Sequence, residues 1–202
     1  MSTLYNALIN AKMEEAFLKD QTFSGETLTG FDGEKIDFEQ IHFEKCRFVD
    51  CNFANASFFK VSMQGCDFSN CRFEDSYWKE CTITNCKANG AVFEHATLRS
   101  VTIENTPCRY INFSQSLLDG CCLKDCDLRE SAFSAIKLKQ TTFENIDFRQ
   151  SDFFKTQLKG VDLSSCQIEG LLISDTHSEL KGLKVSLEQA PFIASFLGVI
   201  IQ

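Results

Sequence analysis

Residues 46–75 read CRFVD CNFAN ASFFK VSMQG CDFSN CRFED, with Phe or Met third in every block and Cys, Ala or Val first. The same frame runs outward in both directions without slipping. Of the 31 positions taken at every fifth residue from Phe23 to Ile173, 28 are Phe, Leu, Ile, Met or Trp, the exceptions being Gly33, Ala88 and Cys108. The positions two residues earlier, from Ile36 to Leu171, hold nine Cys and otherwise Ile, Ser, Ala, Thr, Val and one Leu. Neither column carries a charge between Ile36 and Ile173.

A period of five fits neither a helix, which needs 3.6, nor a strand, which needs 2. It fits a solenoid in which each five-residue unit forms one side and points one large and one small residue at a common axis. Cys46, Cys66, Cys86, Cys126 and Cys166 are separated by multiples of twenty, which predicts four units per turn with like residues stacked. The expected core ladder includes Phe48, Phe53, Phe68, Phe73, Phe93, Phe113, Phe133, Phe143, Phe148 and Phe153. Residues 21–175 form the coil, residues 1–20 an N-terminal cap with Leu4, Leu8, Ile9 and Phe17 near helical spacing, and residues 176–202 a C-terminal helix and tail.

Composition narrows the function. The chain has 202 residues and a net charge of -8, which argues against direct nucleic-acid binding. No stretch approaches the ~18 apolar residues of a membrane span, and the N-terminus lacks a secretory apolar core, so a cytoplasmic protein with no membrane contact is expected. In a reducing compartment eleven cysteines do not read as a disulfide framework. The pairs Cys46/Cys51, Cys66/Cys71, Cys81/Cys86 and Cys121/Cys126 carry the spacing of the repeat rather than that of a zinc hairpin, so packing is the better account. His42, His95 and His177 fall in polar columns with no nucleophile motif nearby. No phosphate loop or dinucleotide fingerprint is present, and neither enzymatic activity nor a cofactor is expected.

The blocks CDFSN (66–70), CDLRE (126–130), IDFRQ (146–150), SDFFK (151–155) and VDLSS (161–165) resemble the repeats of the pentapeptide-repeat family. The resemblance implies an all-β fold, a right-handed quadrilateral parallel β-helix of about seven to eight coils. Seven turns at the strand separation of ~4.8 Å give a rod roughly 34 Å long. In the tail SLEQAPFIASFLGVIIQ (186–202), Ser186 and Gln189 are placed as a capping box and Gly198 as a stop, so a short helix is expected with its regular part near Pro191. The tail either covers the last coil or makes a two-fold contact. The contact, through Phe192, Phe196, Leu197, Val199, Ile200 and Ile201, is preferred because this apolar set exceeds what one coil end needs.

This tail also resembles the C-terminus of Qnr-type quinolone-resistance proteins. That likeness implies a non-enzymatic homodimer that binds DNA gyrase or topoisomerase IV where DNA would lie, protecting it from a poison or inhibiting it. Against the likeness, the frame from Phe38 to Ile173 has no insertion, whereas the Gram-negative relatives carry two projecting loops. Irregular spots fall at Phe31 to Lys35 and Thr106 to Tyr110, where Pro107 and Cys108 predict a local bulge.

Assigning charges by the period of twenty gives a mildly basic first side and two acidic stripes. One stripe, on the second side, carries Glu44, Glu104, Glu144 and Asp162, and the other, on the fourth, carries Glu74, Asp75, Glu94 and Asp152. Duplex DNA carries about one charge per 1.7 Å, so imitation by uniform charge would need roughly twenty, far beyond a net of -8. Two narrow stripes facing a basic groove are the remaining form of mimicry, and Phe59, Tyr77, Tyr110 and Phe154 are candidate contact anchors. An adaptor solenoid with an unrelated protein partner is the alternative.

Overall fold

The computed structural model describes residues 3–199. From Leu18 onward the chain winds into a parallel β-helix whose register is twenty residues: Phe38 pairs with Phe58, Phe58 with Trp78, Leu98 with Leu118 and Leu118 with Leu138. Two adjacent sides are seven-stranded parallel sheets built from short strands such as Ser57–Phe59 and Ser62–Gln64. On the third side the pair Thr27–Thr29 and Arg47–Val49 gives way to single bridges, and on the fourth only bridges occur, in the same register as far as Asp152 and Leu172.

Strands are short because the chain turns a corner every five residues. From Asp20 to Gly160 the residue two places after each large-column position sits in the left-handed region, as in Gln40 (φ 54°), Lys45 (51°), Asp50 (51°), Asn55 (58°) and Gly65 (63°). Gly, Asn and Asp tolerate this region, whereas for Lys60, Tyr110 or Ala135 it costs on the order of 1 kcal/mol or more. The coil above offsets that cost by accepting the corner N–H: Lys60 donates to Lys79 O at 2.9 Å and Ala135 to Phe154 O at 2.8 Å.

Both uncharged columns point inward. All ten phenylalanines of the expected ladder are buried, none more than 6% exposed. On the fourth side Phe53, Phe73, Phe93, Phe113, Phe133 and Phe153 form one continuous stack, with ring centroids 4.8 to 5.6 Å apart. Rings on neighbouring sides meet edge to face, as Phe68 meets Phe73 at 5.8 Å and 90°. In the small column each thiol reaches back to a carbonyl 23 residues earlier: Cys66 Sγ to Phe43 O at 3.4 Å, Cys71 to Phe48 O at 3.5 Å, Cys86 to Met63 O at 3.4 Å. Ser131, Ser151 and Thr156 make the same bond with hydroxyls, which explains why Cys, Ser and Thr interchange at these positions.

The exceptions to the repeat have local causes. Gly33 stands where the Phe53 ring leans in, and a Cβ there would lie 2.6 Å from Phe53 Cδ1. Ala88 shares a coil with Trp78, the bulkiest inward residue, so the small side chain on one side complements the large one on the opposite side. The bulge expected at Pro107 does not form. Pro107 bridges Asp127 in the regular register, Cys108 N donates to Asp127 O at 2.8 Å, and Cys108 is buried. Proline loses one ladder donor here, yet its fixed φ suits an extended side and the stack on either face holds the frame.

Helices close both ends. Helix α1 (Thr3–Glu14) lays Leu4, Leu8 and Ala11 over the first coil. Glu26 accepts the N–H of Leu4 at 2.8 Å and the Thr3 hydroxyl, while Lys12 Nζ donates to the Asp32 carbonyl at 2.6 Å and its carboxylate at 3.1 Å. Phe17 falls after the helix and is 60% exposed, unlike Leu4 and Leu8, because the chain has already turned at Glu15 (φ 48°). At the other end Asp162 bridges Lys184, 22 residues on, so the last rung departs from the spacing of twenty. Glu179 is buried in the same final turn, its carboxylate accepting the N–H of Lys155 at 2.9 Å and the Ser174 hydroxyl at 2.8 Å.

Ser186 and Gln189 form the expected reciprocal box, with Ser186 N donating to Gln189 Oε1 at 2.7 Å. Gln189 Nε2 also donates to the carbonyls of Leu163 and Cys166 at 2.9 and 2.6 Å, tying the tail to the coil. Helix α2 (Ala190–Ser195) then runs with Pro191 in its first turn, and the turn that follows it closes at Gly198 (φ 72°), after which Val199 N reaches Ala194 O. No helix among the described residues is long and apolar enough to cross a membrane.

Candidate functional site

With the interior filled by the two inward columns, the chemistry of the molecule lies on its outer faces and ends. Each acidic stripe lies on one side, but neither is a continuous line of charge. On the second side Glu44, Gln64, Thr84, Glu104, Lys124 and Glu144 follow one another in register. Lys45 holds Glu44 at 3.1 Å, and Lys124 holds Glu144 at 3.1 Å, the carboxylate pushing the lysine pKa up. Asp162 accepts the Ser164 hydroxyl at 2.6 Å and its N–H at 3.0 Å, which keeps its carboxyl below the usual range.

On the fourth side Arg72 donates to Glu74 at 2.9 Å, and His95 stands 3.9 Å from Glu94. Asp152 accepts the Ser134 hydroxyl at 2.6 Å and the Phe154 N–H at 2.8 Å, while Asp75 occupies a left-handed corner. The stripes therefore offer separated carboxylates, several already engaged, rather than a dense rail of charge.

Among the candidate anchors, Tyr77, Tyr110 and Phe154 are exposed. Phe59 is half-buried instead, because Lys60 and Lys79 lie over its ring at 4.9 and 5.4 Å from the centroid. In the tail Phe192 and Phe196 pack edge to face at 5.0 Å, with the His177 ring 5.8 Å from Phe196, and both remain half-buried. Leu197 and Val199 are 72% and 51% exposed. Ile200 and Ile201, the remaining members of the expected contact, lie outside the described residues. Leu172 and Leu187, not singled out from the sequence, add exposed apolar surface at this end.

The cysteines are a poor site for chemistry. Burial pushes the Cys81 thiol up to about 11, and Cys121 and Cys166 are raised by burial too. Cys122 alone is half-exposed, while the other ten are buried. A thiol-selective disulfide reagent is therefore expected to modify one cysteine in the folded protein, with Cys122→Ser abolishing the reaction and the rest reacting only after denaturation. Several fast-reacting thiols would contradict the inward column.

Comparison with known proteins agrees with this geometry. A model of the pentapeptide repeat region matches residues 56–133, and a model of pentapeptide repeats in eight copies matches residues 36–75 and 131–170. The chain belongs to the pentapeptide-repeat family. No curated protein sequence matches it. Among solved structures, a trypsin-treated variant of QnrB1, a plasmid-mediated fluoroquinolone resistance protein, superposes with a TM-score of 0.51 at 22% identity, covering 91% of this chain and 99% of that one. Full-length QnrB1 gives a TM-score of 0.51 at 17% identity, over 88% of this chain and 100% of that one.

Proposed function

We propose that the protein is a binding module rather than a catalyst, acting in the cytoplasm as a homodimer. Its acidic sides occupy the DNA-binding groove of a type II topoisomerase, DNA gyrase or topoisomerase IV, and protect the enzyme from quinolones or a gyrase-directed toxin, or modulate its activity. The observation that carries this reading is an unbroken rod whose course follows QnrB1 along 91% of the chain, with two acidic stripes on its flanks. Among the described residues Glu104 and Asp75 have no side-chain partner, and Glu94 has only the Gln115 amide at 3.3 Å and the His95 ring at 3.9 Å, so these three are the preferred contacts for a basic groove. Charge of this kind raises the association rate more than it sets affinity.

The test is a supercoiling assay with purified gyrase. Micromolar protein is expected to restore supercoiling in the presence of a quinolone, or to reduce it in the drug's absence. No change in either condition would remove the reading. An adaptor solenoid with another protein partner is the second reading, favoured by the ion pairs that occupy Glu44, Glu74 and Glu144. Recovery from host lysate of a partner complex free of both gyrase subunits would support it.

The dimer has its own test. Leu197→Asp with Val199→Asp places charge on exposed apolar side chains, so the fold tolerates the change while a two-fold contact does not. Sedimentation is expected to show a monomer. A dimer of unchanged strength would mean that the tail only caps the coil.

A further inference from the structure

The third side of the rod carries an arginine at the same place on three successive coils, Arg109, Arg129 and Arg149. On the last two coils the fork is closed from within. Arg129 donates from Nε and Nη2 to the two carboxylate oxygens of Asp127 at 2.8 and 2.6 Å, and Arg149 does the same to Asp147 at 2.9 and 2.7 Å. Each aspartate sits two residues before its arginine and also accepts that residue's backbone N–H at 3.2 Å.

On the first coil the aspartate's place is taken by Pro107, in register with Asp127. Arg109 is left with one half-exposed ion pair, Nη2 to Glu130 at 2.9 Å, and a long contact to the Tyr110 hydroxyl at 3.5 Å. Its Nε is shielded from water and has no acceptor among the described residues. A dry, unbonded N–H on a guanidinium is a standing desolvation cost, which a carboxylate closing the fork would remove. The Glu130 pair is no obstacle, since surface pairs of this type contribute little and exchange readily.

We propose that the Arg109 fork, framed by Pro107 and the exposed Tyr110 ring, is the docking point for a single Asp or Glu side chain of a protein partner. The incoming carboxylate takes the outward Nη2 edge of Arg109 in place of Glu130, and the guanidinium turns toward it so that Nε, shielded in the free protein, completes the two-point fork that Asp127 and Asp147 make with their own arginines. Tyr110, 54% exposed with the guanidinium 5.3 Å from its ring centroid, forms the apolar lip, and a groove of about 380 Å³ runs on past Arg129 and Arg149. A nucleic-acid strand does not fit, because only one of the three forks is unclosed and Asp127, Asp147 and Glu169 beside it repel a row of phosphates. The inference stands apart from the topoisomerase reading, since it concerns a different side and opposite charge.

The experiment follows the arginine Nε–H resonances of the full-length protein by NMR while N-acetyl-glutamate methylamide is added, with inorganic phosphate as a parallel arm. The Arg109 resonance is expected to shift saturably with the capped glutamate, while Arg129 and Arg149, already closed, move little. Pro107→Asp supplies the missing carboxylate from within, so its Arg109 resonance should move to the position of the other two and glutamate binding should weaken at least tenfold. Arg109→Gln, followed through the Tyr110 amide, should lose binding likewise and serves if Pro107→Asp does not fold. Unchanged binding in either variant, no shift in the wild type up to the solubility of the peptide, or tighter binding of phosphate than of glutamate would each overturn the proposal.

Discussion

Phe93→Ala is expected to lower the stability of the protein by about 3–5 kcal/mol, read as a lower urea midpoint at unchanged slope. Phe93 is 1% exposed and stacks between Phe73 at 4.8 Å and Phe113 at 5.1 Å, with Trp78 tilted against it at 5.7 Å. Its own N–H is tied to Asn112 O at 2.7 Å, and Val92 N to Cys71 O at 3.0 Å, so the coil is pinned to both neighbours. A globular core can shift an element to fill part of a hole, but a coil with a neighbour on each face cannot. The effect should therefore lie at the upper end for a phenylalanine. In a quasi-one-dimensional array the damage also weakens the join between the two halves of the rod. A loss near 1 kcal/mol would mean that the aromatic stack is not what holds the coils together.

Alkaline unfolding is the second large effect, and it comes from the thiols of the small column. The ordinary thiol pKa is near 9, and burial raises Cys81 to about 11 and Cys121 and Cys166 in the same direction. The folded state holds these groups neutral, so their contribution is complete below pH 9. It is lost as pH rises, because the unfolded chain releases protons that the folded chain keeps. One such thiol contributes a slope of about 1.4 kcal/mol per pH unit between its unfolded and folded pKa, a window that for Cys81 runs from about 9 to about 11, and Cys121 and Cys166 add to it in the same direction. Urea midpoints should be flat from about pH 7 to 8.5 and fall steeply between 9 and 11. Cys81→Ser, which keeps a small donor in the column, should make the fall shallower. A flat profile through that window would show that these thiols are not buried in the reduced form.

The repeat was legible because its period is carried by residue type at single positions, and a filled axis leaves each position one role. Both inward columns, the four sides and the stacking of Phe53 through Phe153 followed from counting. The corner column is not singled out from the sequence, because Lys45 and Tyr110 share the left-handed position with Gly25, Gly30, Gly65, Asn55, Asn70 and Asp50 and blur its composition. What counting did not reach depends on neighbours in space. Gly33 is explained only by the Phe53 ring, and Phe59 is covered by Lys79 from one coil on as well as by its neighbour Lys60. Pro107 reads as a bulge in the sequence, but bonds from adjacent coils keep its register.

The stripes illustrate the same limit. Glu44, Glu74 and Glu144 were assigned to the correct sides by number, while their engagement with Lys45, Arg72 and Lys124 is a matter of side-chain reach. Glu179 and the second role of Gln189 lie outside the repeat, where no period marks a residue as inward. Their sequence signal is slight: a lone Glu amid polar residues, and a Gln whose capping role accounts for only one of its polar atoms.

The most direct test of the account is competition for purified DNA gyrase between this protein and a labelled DNA duplex. The protein is expected to bind gyrase and to displace the duplex, with Glu104→Lys together with Glu94→Lys slowing association and binding weakening as salt rises. A stable ternary complex of gyrase, duplex and protein, or no binding to gyrase at all, would contradict it.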